Sequence, residues 1–333
     1  MVKYIIKRLL LAIFILLLVS IFLYFLVRMM PLNAIEAKYY ETHSGGDSET
    51  NIAELHAILA RYNLDDNSFL GIVKGWWQWI VKFFSGDMGE SFVKNQPVGD
   101  IIFENMGISF SISLVSLILE VLIAIPLGIK CACNQYGKLD YAATVLTMIG
   151  ISFPTFFFGN LVIKFFAIDL GWFPSNGING NLLVTATGWE RFTDMLWHLV
   201  LPLFVLTVLS IGSLMRYTRT NTLEVLNADY IRTARAKGLS ETKVVYKHVF
   251  RNTMIPLVTV LASTIPGLFG GAMITETIFD IPGIGSIAYD LMKRGDVPFI
   301  MAYNMFIAVL TVLGILLADV MYAVVDPRVK IGK

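Results

Sequence analysis

Arg216 to Pro256 reads RYTRTNTLEVLNADYIRTARAKGLSETKVVYKHVFRNTMIP, a long basic stretch with helical patterning in an otherwise largely lipid-compatible chain. It sets Arg216, Arg219, Arg232, Arg235, Lys237, Lys243, Lys247 and Arg251 against Glu224, Asp229 and Glu241. A loop this basic between two apolar spans belongs on the cytoplasmic side of a membrane. Its local chemistry predicts two helices. Asn227 suits an N-cap and Asp229 the first turn, where the positive end of the helix dipole favours a carboxylate. Arg235 and Lys237 fall in the last turn, and Gly238 supplies the left-handed position that ends the helix. Ser240 is placed to cap a second helix through Val244, Val245 and Val249, ending near Pro256. The first helix is short and carries Ala228, Ala234 and Ala236 beside Tyr230 and Ile231. A lone helix of about ten residues is marginal in water. Charge alone favours a loop lying on anionic headgroups. The capping signals and the small side chains favour docking into a partner's groove.

The rest of the chain sets its class. With 333 residues, 56% hydrophobic and only 15% charged, and a mean hydropathy of +0.68, it is too apolar for a soluble domain and reads as a polytopic membrane protein. The near-neutral net charge says little, because the charge is segregated by loop. Cys131 and Cys133 flank Ala132 on a predicted cytoplasmic turn, where a thiol pair stays reduced. A C-x-C without nearby histidine is a poor metal site.

Outward from the basic stretch, hydropathy predicts six spans. Leu9 to Val27 is continuously apolar after Lys3, Lys7 and Arg8, long enough to cross and without a cleavage site, so it reads as a retained helix with its N-terminus inside. Leu32 to about Asn105 is polar and acidic on balance, and belongs outside. Its Glu41–Thr50 part reads as a flexible loop. Its Trp76, Trp77, Trp79, Ile80, Phe83 and Phe84 recur at helical spacing; with little in the segment to bury them, they suit an amphipathic helix in the outer interface. The second span, about Gly107 to Ile129, contains Glu120 and Pro126. The third, about Ala142 to Ile168, has a break at Ile151-Ser152-Phe153-Pro154 and Lys164 snorkelling near its outer end. The outer loop Asp169–Asp194 is flanked by Trp172, Trp189 and Trp197, and the fourth span covers about Met195 to Met215. The fifth, about Leu257 to Phe279, is interrupted by Pro266, Gly267, Gly270 and Gly271. Its G-x-x-x-G suits close helix packing, and its weakened helix suits bending or lining a translocation path. The outer Asp280–Pro298 loop carries Lys293 and Arg294 accompanied by Asp290 and Asp296. The sixth span, about Phe299 to Val325, leaves the C-terminus inside.

Several chemistries have no foothold. There is no G-x-x-x-x-G-K-[ST] phosphate loop, no G-x-S-x-G elbow and no i, i+4 pair among His43, His56, His198 and His248. The chain therefore reads as non-catalytic. Glu120 and Glu276 are candidates to face a water-filled path, since intramembrane ionisable groups are functional by default. Asp319 suits a cytoplasmic vestibule or a helix contact.

The run from Asp229 to Leu239 (DYIRTARAKGL), followed by His248, Arg251, Asn252 and Ile255-Pro256, resembles the coupling loop of ABC-importer permeases of the oligopeptide/dipeptide/nickel branch. Arg232 stands where the general signature has Glu, and the interval from Gly238 to Pro256 is longer than usual. Both departures resemble the peptide branch. The resemblance extends to Tyr4–Leu10, Gly86-Asp87-Met88-Gly89, Glu276–Phe279, Pro282–Gly285 and Asp326-Pro327-Arg328, and points to the first (B-type) permease subunit.

It implies an all-α membrane protein with six transmembrane helices and the type I ABC-importer permease fold. Residues 1–30 would form the cytoplasmic N-terminus and first helix, 31–106 an extracytoplasmic segment, and 107–333 a five-helix core containing the coupling loop 216–256. The implied partners are a second homologous permease subunit, two cytoplasmic ABC ATPase subunits, an extracytoplasmic substrate-binding protein, a peptide substrate and membrane lipid, with no nucleic acid. The chain would carry no cofactor, ATP and Mg sitting on the ATPases. Its place would be a bacterial or archaeal plasma membrane. Asp229, Tyr230, Arg232, Ala234, Arg235, Ala236, Lys237, Gly238 and Leu239 would engage the ATPase: Arg232, Arg235 and Lys237 through ion pairs, Tyr230, Ala234 and Leu239 through packing. Glu120, Pro266, Gly267, Gly270, Gly271 and Glu276 are the pathway or bending candidates. Nickel or another small solute is the alternative cargo, and an ion-coupled secondary transporter acting alone the alternative class.

Overall fold

A computed structural model describes residues 2–29, 68–180 and 186–325. The Glu41–Thr50 loop and Asp326-Pro327-Arg328 lie outside them. Among the described residues the elements are helical, with one isolated bridge between Glu90 and Pro97. Among these residues five helices are long and apolar enough to cross a membrane, or six if one bent pair counts as a span. The chain divides into two compact units, Met1–Gly107 with Gly283–Leu313 and Ile108–Pro282 with Gly314–Lys333.

In the first unit, α1 (Val2–Arg28) is one apolar helix. α2 (Phe69–Phe84) starts at Ser68, whose hydroxyl accepts the Gly71 N–H at 3.0 Å. Its aromatic stripe, expected to lie in the interface for want of a partner, is half buried on α1. Trp76 Nε1 donates to Ser20 Oγ at 3.0 Å, and Trp79 meets Tyr24 with ring centroids 6.2 Å apart. Trp79, Ile80 and Phe83 are buried, whereas Trp77 and Phe84 stay exposed. The hydroxyl of Ser20 makes this possible, giving the indole N–H an acceptor within an apolar helix.

α10 (Ile284–Lys293) occupies most of the loop predicted between the last two spans, and α11 (Val297–Val325) follows. Asp290 does accompany Arg294, at 3.0 Å. Asp296 instead is fully buried, accepting hydrogen bonds from Ser91 Oγ and from the N–H groups of Val93 and Phe299. It clasps the turn after α2 to the start of α11. Burial pushes its carboxyl above the usual range, against the opposing pull of those hydrogen bonds.

α3 (Val98–Cys133), which belongs to the first unit up to Gly107 and to the second from Ile108, carries Pro126 without interruption. Cys131 is buried at its end and Cys133 exposed, both as free thiols. α4 (Lys138–Ser152) and α5 (Thr155–Asp169) meet at 104°, at the predicted break. Pro154 has no N–H to give and biases Phe153 toward its extended φ −81°, ψ 129°. Lys164 does not simply snorkel; it pairs with Asp169 at 2.7 Å on an exposed face.

α6 (Gly188–Leu226) opens on a capping box between Thr187 and Glu190 and runs for 39 residues, about 58 Å at 1.5 Å per residue and well beyond a bilayer's hydrocarbon core. The fourth span thus extends eleven residues into the basic stretch. Nothing in Arg216–Leu226 breaks a helix, and the buried Thr218 and Thr222 satisfy their hydroxyls on the carbonyls of Leu214 and Thr218. α4 against α6 is the most extensive helix pairing among the described residues. α3 and α6 approach so closely at Gly128 that an added Cβ would lie 2.7 Å from the Met215 carbonyl oxygen and 2.8 Å from Thr218 Cβ.

Candidate functional site: a capped helix on an apolar platform

α7 (Asp229–Ala236) is the predicted short helix. Asn227 does not cap it. Because α6 reaches Leu226, Asn227 closes that helix instead, its side-chain amide donating to Leu223 O at 3.0 Å. Ala228 takes the N-cap position with extended backbone and no side-chain bond, leaving Asp229 in the first turn as the favourable charge. The other end follows the expected chemistry closely. Gly238 has φ +77°; its N–H donates to Arg235 O, and the Leu239 N–H donates to Ala234 O. Those two bonds form a Schellman motif, and Leu239 supplies the apolar contact that accompanies it.

α7 rests on α8 (Glu241–Phe269), the second helix predicted for the stretch. Ser240 precedes it with extended backbone but makes no side-chain cap bond. α8 is π-helical over Val244–Val249 and α-helical over Phe250–Thr264. Pro256 lies inside it, so the second basic helix and the fifth span are one element. A proline removes one hydrogen bond, and a helix packed along α6 tolerates that loss.

Ile231 and Ala234 of α7 are buried with Val244 and Val249, and Val225, Leu226 and Leu239 pack around them. This places the candidate residues in two groups. Ala234 and Leu239, expected to pack into a partner, serve the chain's own small core together with Ile231. Tyr230, Arg232, Ala236 and Lys237 are exposed. Tyr230, Thr233 and Lys237 follow i, i+3, i+7 spacing and share one outward face. Arg235 grips Glu241 with bonds of 2.6 and 3.3 Å, and Arg232 lies 3.5 Å from Asp229. Both pairs are exposed, so each is worth at most about 1 kcal/mol and each cation can exchange partners. Ile231, fully buried, is the anchor that sequence reading placed merely beside the alanines.

The bending candidates gather at the far end of α8. Ile265–Phe269 tightens into a 3-10 turn containing Pro266 and Gly267, Gly270 caps it, and Gly271 at φ +74° turns the chain away. The fifth span therefore ends at Phe269 rather than Phe279. Within this chain the G-x-x-x-G packs no second helix at Gly267, where a Cβ would meet nothing within 4 Å. Close packing occurs at Gly314 of α11 instead, where a Cβ would overlap the ring of Pro266. Glu276, on α9 (Met273–Ile278), is buried and accepts the Ala272 N–H at 2.8 Å. It closes the break rather than facing open space. Glu120 is half-buried on α3. Beside it, Leu117 and Val121 join Val258, Leu261 and Leu268 in lining a groove of about 580 Å³ whose lining is wholly apolar.

Residues 124–331, which contain this site, match the family described as the binding-protein-dependent transport system inner membrane component. The chain is 37% identical over 331 residues to the oligopeptide transport system permease protein AppB of Bacillus subtilis (strain 168), covering 99% of this chain and 100% of that protein. It is 33% identical over 285 residues to the dipeptide transport system permease protein DppB of the same organism, covering 85% and 86%. Among solved structures, the MetNI methionine ABC transporter in inward-facing conformations matches with a TM-score of 0.54, covering 68% of this chain and 96% of that one. At 18% identity that likeness concerns the fold alone.

Proposed function

Given that this chain belongs to the binding-protein-dependent transport system inner membrane component family, we propose that it is one membrane half of an ATP-driven importer of oligopeptides or dipeptides. In this reading it pairs with a second, related permease subunit. Two cytoplasmic ATPases that hold ATP and Mg bind beneath, and an extracytoplasmic binding protein delivers the peptide. Both termini face the cytoplasm.

The observation that carries the reading is α7. A helix of eight residues does not hold its shape alone in water. Here it is fixed by Ile231 and Ala234 to a platform built from α6 and α8, and stopped by Gly238. Such a knob can be pushed as a rigid body. Its free face offers Tyr230, Thr233 and Lys237 to a groove, with Arg232 and Arg235 able to exchange their weak partners for acidic groove residues. Closure of the ATPases on ATP would then tilt α6 and α8 together, with the 3-10 turn and Gly271 as the place where α8 yields. The solute site alternates in access because two arrangements of the same helices are biased by nucleotide.

The test is reconstitution of the chain with the subunits that co-purify with it. ATP-dependent accumulation of labelled peptide in liposomes is the expected result. Accumulation of nickel but not peptide would replace the cargo. Gradient-driven uptake by the single chain without ATP would overturn the reading.

A further inference from the structure

Arg219 stands on α6 near its end, and Asp140 stands in the first turn of α4, 79 positions away in sequence. The guanidinium grips the carboxylate with two bonds, Nε to Oδ1 at 2.6 Å and Nη2 to Oδ2 at 2.7 Å. The side chains are only 23% and 5% exposed. Asp140 Oδ2 also accepts the Tyr136 N–H at 2.9 Å. Tyr136 sits at φ +63°, a left-handed conformation uncommon for an aromatic residue. The carboxylate thus holds the turn between α3 and α4 as well as α6. Thr218, next to Arg219, abuts Gly128 of α3 together with the Met215 carbonyl.

A pair withdrawn from water in this way is a weak source of net stability, because desolvation offsets most of the attraction. What a two-pronged arginine–carboxylate grip supplies is geometry, fixing both distance and angle between the elements it joins. Its position matters for that reason. Arg219 precedes α7 by ten residues on the helix from which α7 hangs. Asp140 begins the helix that turns through 104° at Phe153–Pro154.

We infer that the Asp140–Arg219 pair is the tie that transmits displacement of α7 from α6 into α4, and so to the bend at Pro154. Both are positioning residues; neither touches solute. The inference rests on the proposal that an ATPase drives α7. Without the tie, α6 tilts while the α4–α5 half stays behind, and ATP is hydrolysed without productive opening.

The test uses the assembled importer in liposomes. Arg219→Gln and Asp140→Asn lower the solute moved per ATP hydrolysed by about tenfold, an ordinary size for a coupling between sites, while hydrolysis stays near wild type. Arg219→Lys, which keeps the charge and loses the fork, falls between. An unchanged ratio in Arg219→Gln, or loss of hydrolysis and uptake in parallel, overturns the inference. Should those variants fail to assemble, hydrogen exchange on Arg219→Lys decides it. In wild type, a non-hydrolysable ATP analogue changes protection of residues 134–142 together with 227–239. In Arg219→Lys the 227–239 change remains while the 134–142 change shrinks. A 134–142 change of wild-type size in that variant refutes the tie alone, whereas no change at 227–239 even in wild type refutes the functional reading beneath it.

Discussion

Gly238 offers the sharpest perturbation of α7. A Cβ there would meet nothing within 4 Å, so substitution acts through backbone conformation and not through a clash. Holding an ordinary L-residue at φ +77° costs about 1–2 kcal/mol, whereas Asn visits that region more readily. A β-branched residue is worse placed still. Since one or two kcal/mol is a factor of about 5–30 in an equilibrium, Gly238→Ala should raise the frayed fraction of α7 by that factor, Gly238→Val by more and Gly238→Asn by less. The helices beneath keep their own packing, so melting of the whole complex should move little. Hydrogen exchange across Thr233–Leu239 reads the fraying, and solute moved per ATP hydrolysed reads its consequence. Both should follow the order Gly, Asn, Ala, Val. A coupling ratio in Gly238→Val equal to wild type, with exchange plainly accelerated, would refute the argument that a rigid α7 is required.

Three other expectations follow from individual contacts. Gly128→Ala drives a carbon toward the Met215 carbonyl, a backbone atom that cannot swing aside; overpacking of this kind costs about 1–3 kcal/mol, so thermal unfolding in detergent should occur at lower temperature, and wild-type melting would contradict it. Arg235→Ala removes an exposed pair with Glu241, so stability should stay within about 1 kcal/mol of wild type; a substantial fall in uptake at unchanged melting temperature would assign Arg235 a contact outside the chain, while unchanged uptake would remove it from the docking face. For Asp296, burial raises the folded-state carboxyl above its ordinary 3.8, so the folded chain holds that proton more tightly than the unfolded one. The stabilisation is complete below the ordinary value and is lost as pH rises through the raised value. The melting temperature of wild type relative to Asp296→Asn should therefore decline with rising pH across that interval, and a flat or growing difference would contradict the burial argument.

What could be read from sequence was local. Gly238, Asp229 and Pro154 each act on the backbone within a turn of themselves, and each does in the fold what its chemistry requires. The failures share one cause: whether a polar stretch continues a helix depends on what lies beside it. Asn227 suits an N-cap by its side chain, yet Arg216–Leu226 has no breaker and α6 runs on to Leu226. Pro256 looked like a stop, but packing along α6 holds the helix through it. The G-x-x-x-G reading presumed a helix through Gly271 that the chain abandons at Phe269. Gly128 and Gly314 are single glycines in apolar runs, and nothing near them in sequence announces the backbone or proline ring they meet. Asp140 and Arg219 are ordinary charges until the fold joins them.

The most direct measurement places a photo-crosslinker at Tyr230, at Lys237 and, as the inward-facing control, at Ile231 in the assembled complex. Tyr230 and Lys237 should capture an ATP-hydrolysing subunit, capture should arrest uptake, and Ile231 should capture only this chain. Equal capture from all three positions, or none from Tyr230 and Lys237 in a complex that still transports, would contradict this expectation.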